Sequence, residues 1–76
     1  MDALQLNINC AAALNIITRG STSSPLGHVL RRDIAAELGM SFQDALAVLD
    51  ELRKRGDIVT GETLNDFWAK PAPAEL

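Results

Sequence analysis

The residues that could perform chemistry are few and lie far apart in this 76-residue chain. Cys10 and His28 are its only cysteine and histidine, and neither has a companion in sequence that would activate it as a nucleophile or a base. One thiol and one imidazole supply neither an internal disulfide nor the four ligands of a structural zinc site. Asp50 and Glu51 are adjacent on a predicted helix, so they face different ways and form no catalytic pair. We therefore predict a protein that is not an enzyme and has no metal or cofactor.

With catalysis excluded, binding of a partner molecule is the remaining function, and the candidate groups for it are two clusters of cations. Arg31 and Arg32 form the first cluster, and residues 53–55 form the second. The net charge is −3 and the pI is about 4.8, which is the wrong sign for holding a polyanion by bulk electrostatics. Contact with DNA would therefore need a local basic patch.

Length and composition limit the chain to one small domain. Hydrophobic residues make up 47% of it, so it can collapse without crosslinks. The longest apolar run, around residues 10–14, is far shorter than the ~20 residues of a membrane span, and the acidic start lacks the positive region of a signal peptide. We expect a cytoplasmic protein with one domain over residues 1–70 and a flexible tail over residues 71–76.

The first helix is predicted over residues 1–19, where apolar residues recur at helical spacing and Asp2 can cap the first turn. An alternative remains open, because apolar and amide residues alternate over positions 4–9. That alternation also fits a short strand, followed by a shorter helix that Asn9 caps. Residues 20–27 are rich in turn formers and predict a loop.

The apolar character of the first helix also suggests a dimer. Only Asn15 is polar between positions 10 and 17, so this helix can be covered on more than one side. In so small a domain, a partner subunit could supply that cover. The residues predicted for a homodimer contact are Leu6, Cys10, Leu14 and Ile17.

Two further helices, over residues 31–38 and 41–55, are predicted to meet at a tight corner. Gly39 can adopt the left-handed conformation that ends the first of them, and Ser41 can cap the next. Gly56 ends the third helix. The side chains expected to face the core are Ile34, Ala35 and Leu38 on the second helix, and Ala45, Val48, Leu49 and Leu52 on the third.

After the third helix the pattern becomes typical of strands. Residues 57–60 and 64–69 are rich in β-branched and aromatic side chains, which predicts a hairpin with its turn at residues 61–63. Neighbouring strand residues point to opposite faces, so we expect Phe67 in the core and Trp68 partly exposed.

Helix, short strand at residues 28–30, helix, helix and hairpin, in this order, resemble the winged helix-turn-helix superfamily over about residues 3–70. In register the chain is closest to small bacterial regulators of the MarR and GntR kind. The matching positions are Gly39, Met40 and Ser41 at the turn, Asp50 and Leu52 in the later helix, and Gly56, Asp57 and Ile58 before the wing. The resemblance implies an α+β fold, mostly α, with three helices and a small antiparallel β-hairpin wing. It also implies duplex DNA as a partner and a role in transcription regulation.

The DNA-binding hypothesis depends on the outer face of the third helix. Gln43 is a good base reader there, and Asp44 can accept a bond from a cytosine amino group. The residues expected to contact phosphate are Arg31 and Arg32. Alternatively, these two arginines are solvated charges on the helix, balanced by the acidic residues 33 and 37. The residues predicted to contact DNA are Arg31, Arg32, Ser41, Gln43, Asp44, Ala47 and Lys54.

The competing hypothesis is a winged-helix module that binds a protein and no DNA. It is favoured by the acidic balance and by a predicted wing tip that carries a carboxylate where a minor-groove contact needs arginine or lysine. The residues predicted for this surface are Leu46, Asp50, Glu62 and Trp68.

Overall fold

The computed structural model describes residues 1–73 as three helices and a three-stranded antiparallel sheet. The elements are helix α1 (Ala3–Ser23), strand β1 (Val29–Leu30), helix α2 (Arg31–Leu38), helix α3 (Phe42–Lys54), strand β2 (Ile58–Glu62) and strand β3 (Phe67–Pro71). The predicted α+β, mostly helical class and the predicted order of elements are confirmed. Among residues 1–73, no helix has both the length and the hydropathy needed to cross a lipid bilayer.

Helix α1 starts where the helical prediction placed it and ends later. The Asp2 carboxylate accepts a hydrogen bond from the Gln5 backbone N–H at 2.7 Å, so the alternative of a strand at positions 4–9 is wrong. The helix also continues through the first four residues of the predicted loop. Gly20 lies in this added segment, and a Cβ there would lie 2.5 Å from Cγ2 of Val29. Glycine at this position therefore allows β1 to approach the helix closely.

The corner between α2 and α3 has the predicted geometry. Gly39 has φ +65°, and its N–H bonds back to the last turn of α2. Ser41 then caps α3 by accepting a hydrogen bond from the Asp44 backbone N–H at 3.1 Å. Gly56, with φ +81°, follows the end of α3 and turns the chain into β2. These local signals needed no long-range contact to act.

The hairpin is longer than predicted, and its turn lies elsewhere. Strand β2 continues through Glu62, and the loop comprises residues 63–66, with the exposed Leu64 at its tip. The prediction of a turn at residues 61–63 is therefore wrong, and Glu62 is not at the tip. Gly61 is a strand residue because the Trp68 ring covers it: a Cβ at Gly61 would lie 2.3 Å from a ring carbon.

Strand β3 is the central strand, with β1 and β2 on its two sides. Pro71 belongs to β3, opposite Ile58, and the Ala72 N–H donates to the Asp57 carbonyl at 3.0 Å. The chain is thus attached to the sheet two residues into the predicted tail over residues 71–76. Residues 74–76 of that tail lie outside the described residues.

The core lies where α1, α3 and the sheet meet, with α2 closing one side. All seven positions predicted to face inward from α2 and α3 are buried or packed against the core. Cys10 and Ile17 are also fully buried, so they cannot contact a second copy of the folded protein. Leu6 and Leu14 pack against the same core and are half-buried.

Candidate interaction surface

A cleft of about 370 Å³ separates α3 from the hairpin, and we call it the α3–hairpin cleft. Its apolar lining comes from Leu46 and Leu49 of α3 and from Phe67 of β3. Its polar lining comes from Asp50 and Arg53 of α3 and from Thr60, Gly61 and Glu62 of β2. The cleft exists because α3 turns its buried stripe toward α1, which leaves the next face of the helix beside the hairpin.

The two carboxylates that line the cleft differ in whether a cation is paired with them. Asp50 accepts hydrogen bonds from Arg53 at 2.6 Å and from Lys54 at 3.0 Å. The hydrogen bond from Arg53, followed by that from Lys54, lowers the pKa of the Asp50 carboxyl. Glu62 has no cation within ion-pairing distance among residues 1–73. On α3 the Asp50 carboxylate is therefore paired with two cations, whereas the Glu62 carboxylate on the hairpin has no cation among residues 1–73.

Arg31, predicted as a phosphate contact, is used inside the protein. Its Nε donates to Oδ1 of Asp66 at 3.0 Å. Its guanidinium carbon lies 5.1 Å from the Phe42 ring centroid and 5.0 Å from that of Phe67. The side chain is only 16% exposed. Held by a carboxylate between two aromatic rings, Arg31 has little surface left for a ligand.

The amino end of α2 is also occupied by the protein itself. Leu30 stands at the N-cap position and has no side-chain oxygen to offer. Oδ2 of Asp66 accepts instead from the Arg32 backbone N–H at 3.0 Å. Burial alone raises the pKa of the Asp66 carboxyl, but the backbone N–H groups of Arg32 and Phe67 and the charge of Arg31 outweigh burial and lower it. The amino end of α2 is therefore not available to bind an external anion.

Phe67 is not a core residue, contrary to the prediction. It is half-buried, lines the α3–hairpin cleft and contacts Arg31. The reason is that a charged side chain, rather than the apolar core, packs against its ring. Phe42 and Leu46 lie one turn apart on α3 and are 56% and 40% exposed. We call Phe42, Leu46 and Phe67 the apolar strip.

Trp68 lies apart from the cleft that contains the other predicted protein-contact residues. Its ring stacks on His28, with centroids 5.3 Å apart and planes 20° apart. Lys70 lies 5.6 Å above the Trp68 ring. Leu46, Asp50 and Glu62, by contrast, line one cleft.

The other residues predicted to contact DNA remain at the surface. Gln43, Asp44 and Ala47 are exposed on α3, and Ser41 is occupied as its cap. The Arg32 side chain is exposed, and the described part of the chain offers it no ion pair, neither with residue 33 nor with residue 37.

Cys10 does not contribute to a reactive centre. Its Sγ lies 3.9 Å from the Val48 carbonyl oxygen in the core, and burial, partly opposed by the charge of Arg55, raises the pKa of the thiol. No group of three potential metal ligands occurs within residues 1–73. Comparison of the chain with known protein families, curated proteins and solved structures finds no significant match.

Proposed function

We propose that this chain is a winged-helix module that binds another protein through the α3–hairpin cleft and the apolar strip. The observation that carries the proposal is the apolar surface at the cleft. The 40% exposed Leu46 and the half-buried Phe67 both line the cleft, and the 56% exposed Phe42 lies one helical turn before Leu46. Exposed apolar surface bordered by polar groups is typical of protein interaction sites.

The charge of the cleft favours a cationic partner segment. Glu62 is a carboxylate without a cation among residues 1–73, and the whole chain carries a net charge of −3. A segment with one large apolar side chain as its anchor and lysine or arginine beside it would fill the cleft and pair with Glu62. An amphipathic helix that presents residues i, i+3 and i+4 has this chemistry.

The same features weigh against a phosphate backbone in the cleft. Asp50 and Glu62 would face the phosphates, and Arg31 is already bound to Asp66. The amino end of α2 is occupied as well. Affinity for DNA comes mainly from cations at phosphates, and the cleft offers no unpaired one.

DNA binding and transcription regulation remain the second candidate function, and one observation favours them. Arg32 is exposed and has no ion pair within the described part of the chain, and Gln43 and Ala47 are exposed on the helix that follows the corner at Gly39. In this hypothesis α2 contacts phosphate through Arg32, and α3 enters the major groove.

Affinity capture with matched variants tests the leading proposal. Leu46→Asp places a charge in the apolar strip, and Leu26→Asp makes the same change at a 75% exposed leucine outside the cleft. We expect a partner that is recovered with wild type and Leu26→Asp and is lost with Leu46→Asp. Equal recovery with both variants would contradict the proposed surface.

A titration followed by backbone amide shifts separates the two functions. The probes are a leucine- and lysine-rich amphipathic peptide, its glutamate counterpart and a generic DNA duplex at low salt. The leading proposal expects shifts around Leu46, Gly61 and Phe67 with the lysine peptide and weaker ones with the glutamate peptide. Shifts around Arg32 and Gln43 with DNA alone would favour the second candidate.

A further inference from the structure

The outer face of α1 lacks charge. Residues 3–18 contain none of the 17 charged residues of the chain, which are 7 basic and 10 acidic. Leu4 and Ile8 on this face are nevertheless 70% and 53% exposed. An exposed helix of a small soluble domain normally carries charges on its outer side, and the core of a protein interface is depleted of them.

Six of the exposed residues of α1 form a continuous seam opposite its buried stripe. These six recur at alternating spacings of four and three residues, which is the pattern of a left-handed coiled coil. Every one of them is exposed in the isolated chain. The residues of this α1 seam are Leu4, Ile8, Ala11, Asn15, Thr18 and Thr22.

The polar members of the α1 seam differ in their hydrogen bonding. The Thr18 hydroxyl donates to the Leu14 carbonyl at 2.8 Å, and the Thr22 hydroxyl donates to the Thr18 carbonyl at 3.0 Å. Both hydroxyls are therefore satisfied within the helix, so burying these threonines leaves no donor unpaired. Asn15 makes no side-chain hydrogen bond within residues 1–73. It is the one seam residue that needs a partner.

We propose that a second copy of this chain packs in parallel along the α1 seam, with Asn15 paired to its own counterpart. A parallel arrangement sets like positions together, so the two amides satisfy each other and fix the register. An antiparallel arrangement that overlaps the whole seam would set Asn15 against Ala11 and leave the amide without a partner. The proposal does not depend on the function of the α3–hairpin cleft.

The available area and charge suit such a dimer. The smallest specific interfaces bury roughly 1,000 Å² in total, which is about a tenth of the 4964 Å² surface from each copy. One face of a 21-residue helix can supply that area. The charged residues at the edges of the seam are Arg19 and Arg55, which donates to Asn7 at 2.6 Å and is paired with Glu51, so no row of unpaired like charges opposes pairing.

Sedimentation equilibrium over about 1–300 μM tests the association, since interfaces of this size are weak. We expect the mass to rise from the 8.2 kDa of one chain toward twice that value. Ile8→Glu should raise the dissociation constant at least ~10-fold, because it buries a charge in the seam. Leu64→Glu, at an exposed leucine outside the seam, should leave it unchanged. A monomer throughout, or equal effects of the two variants, would overturn the proposal.

A crosslink tests the parallel register. In Ala11→Cys, which keeps Asn15, a parallel arrangement sets the new thiols of the two copies face to face, so mild oxidation should give a disulfide-linked dimer. Wild type is the control, because its Cys10 is 1% exposed and should not react. A variant that dimerises by mass without forming the crosslink would refute the parallel arrangement. Loss of partner binding at the cleft would not affect either result.

Discussion

Replacing Asp66 by asparagine should destabilise the protein more than any other removal of a single charge that we consider. The Asp66 carboxylate accepts from Arg31 Nε and from the backbone N–H groups of Arg32 and Phe67. Its side chain is only 7% exposed. An asparagine at this position keeps one acceptor oxygen, loses the negative charge and turns an amide N–H toward groups that are themselves donors.

The size of the loss follows from two contributions. Asp66 takes the place of an N-cap for α2, and losing a cap costs about 0.5–2 kcal/mol. Leaving the half-buried Arg31 guanidinium without its acceptor costs about 1–3 kcal/mol. We therefore expect the free energy of unfolding to fall by about 1.5–5 kcal/mol. The free energy of unfolding of a 76-residue domain is roughly 4–11 kcal/mol in total. A loss of this size should lower the midpoint of thermal unfolding by roughly 6–40 °C.

Urea unfolding at pH 7, followed by Trp68 fluorescence and by circular dichroism, measures this loss. Asp50→Asn is the matched control, because its ion pairs are exposed and screened by solvent. A double-mutant cycle with Arg31→Met should give a coupling of at least about 1 kcal/mol. A loss from Asp66→Asn no larger than that from Asp50→Asn would refute the reasoning.

The stabilisation by Asp66 should also depend on pH. The pKa of its carboxyl is lower in the folded protein than the ordinary value of 3.8. The contribution is therefore complete above that value and is lost as the pH falls through the folded-state pKa. The difference in unfolding free energy between wild type and Asp66→Asn should be constant from pH 7 to pH 5 and shrink below pH 4. If this difference in unfolding free energy instead increased as the pH fell, the prediction would be wrong.

Three further substitutions or measurements test individual features. Gly61→Ala should cost roughly 1–3 kcal/mol and shift Trp68 emission, because the new methyl overlaps the ring; Glu62→Ala, next in β2, should leave the emission unchanged. Gly39→Ala should cost about 1–2 kcal/mol at unchanged emission, because φ is +65° and the space around it is open. Cys10 should react with a thiol reagent at pH 8 only at a rate that rises with urea, and immediate labelling of the native protein would contradict its burial.

The helices and their corner were predictable because the signals are local. Asp2 and Ser41 cap helices within three residues of themselves, and Gly39 ends α2 by its own backbone conformation. Pro71, predicted in the tail, lies in β3. Two other errors in element boundaries concern a glycine that the prediction takes as a turn signal. Val29 packs closely against Gly20 in α1, and the Trp68 ring covers Gly61 in β2, so each glycine makes room for a distant side chain. Close packing against a distant side chain leaves no trace in local periodicity.

The surface was less predictable than the fold for the same reason. The sequence pattern placed Leu46 on the outer side of α3, where the structure also has it. The sequence pattern does not predict the pairing of Arg31 with Asp66, because Asp66 lies 35 residues further along the chain. That pairing decides whether Arg31 is available to a ligand. The number of cations in a sequence is therefore only an upper limit on the number that the surface presents to a ligand.

The position of β3 has a consequence for the order of folding. It is the central strand of the sheet, so within the described residues β1 and β2 have no strand to pair with until β3 docks. Asp66, which secures the start of α2, lies immediately before β3. We therefore expect the helices to form before the sheet, and the sheet and the start of α2 to become fixed together in one late step.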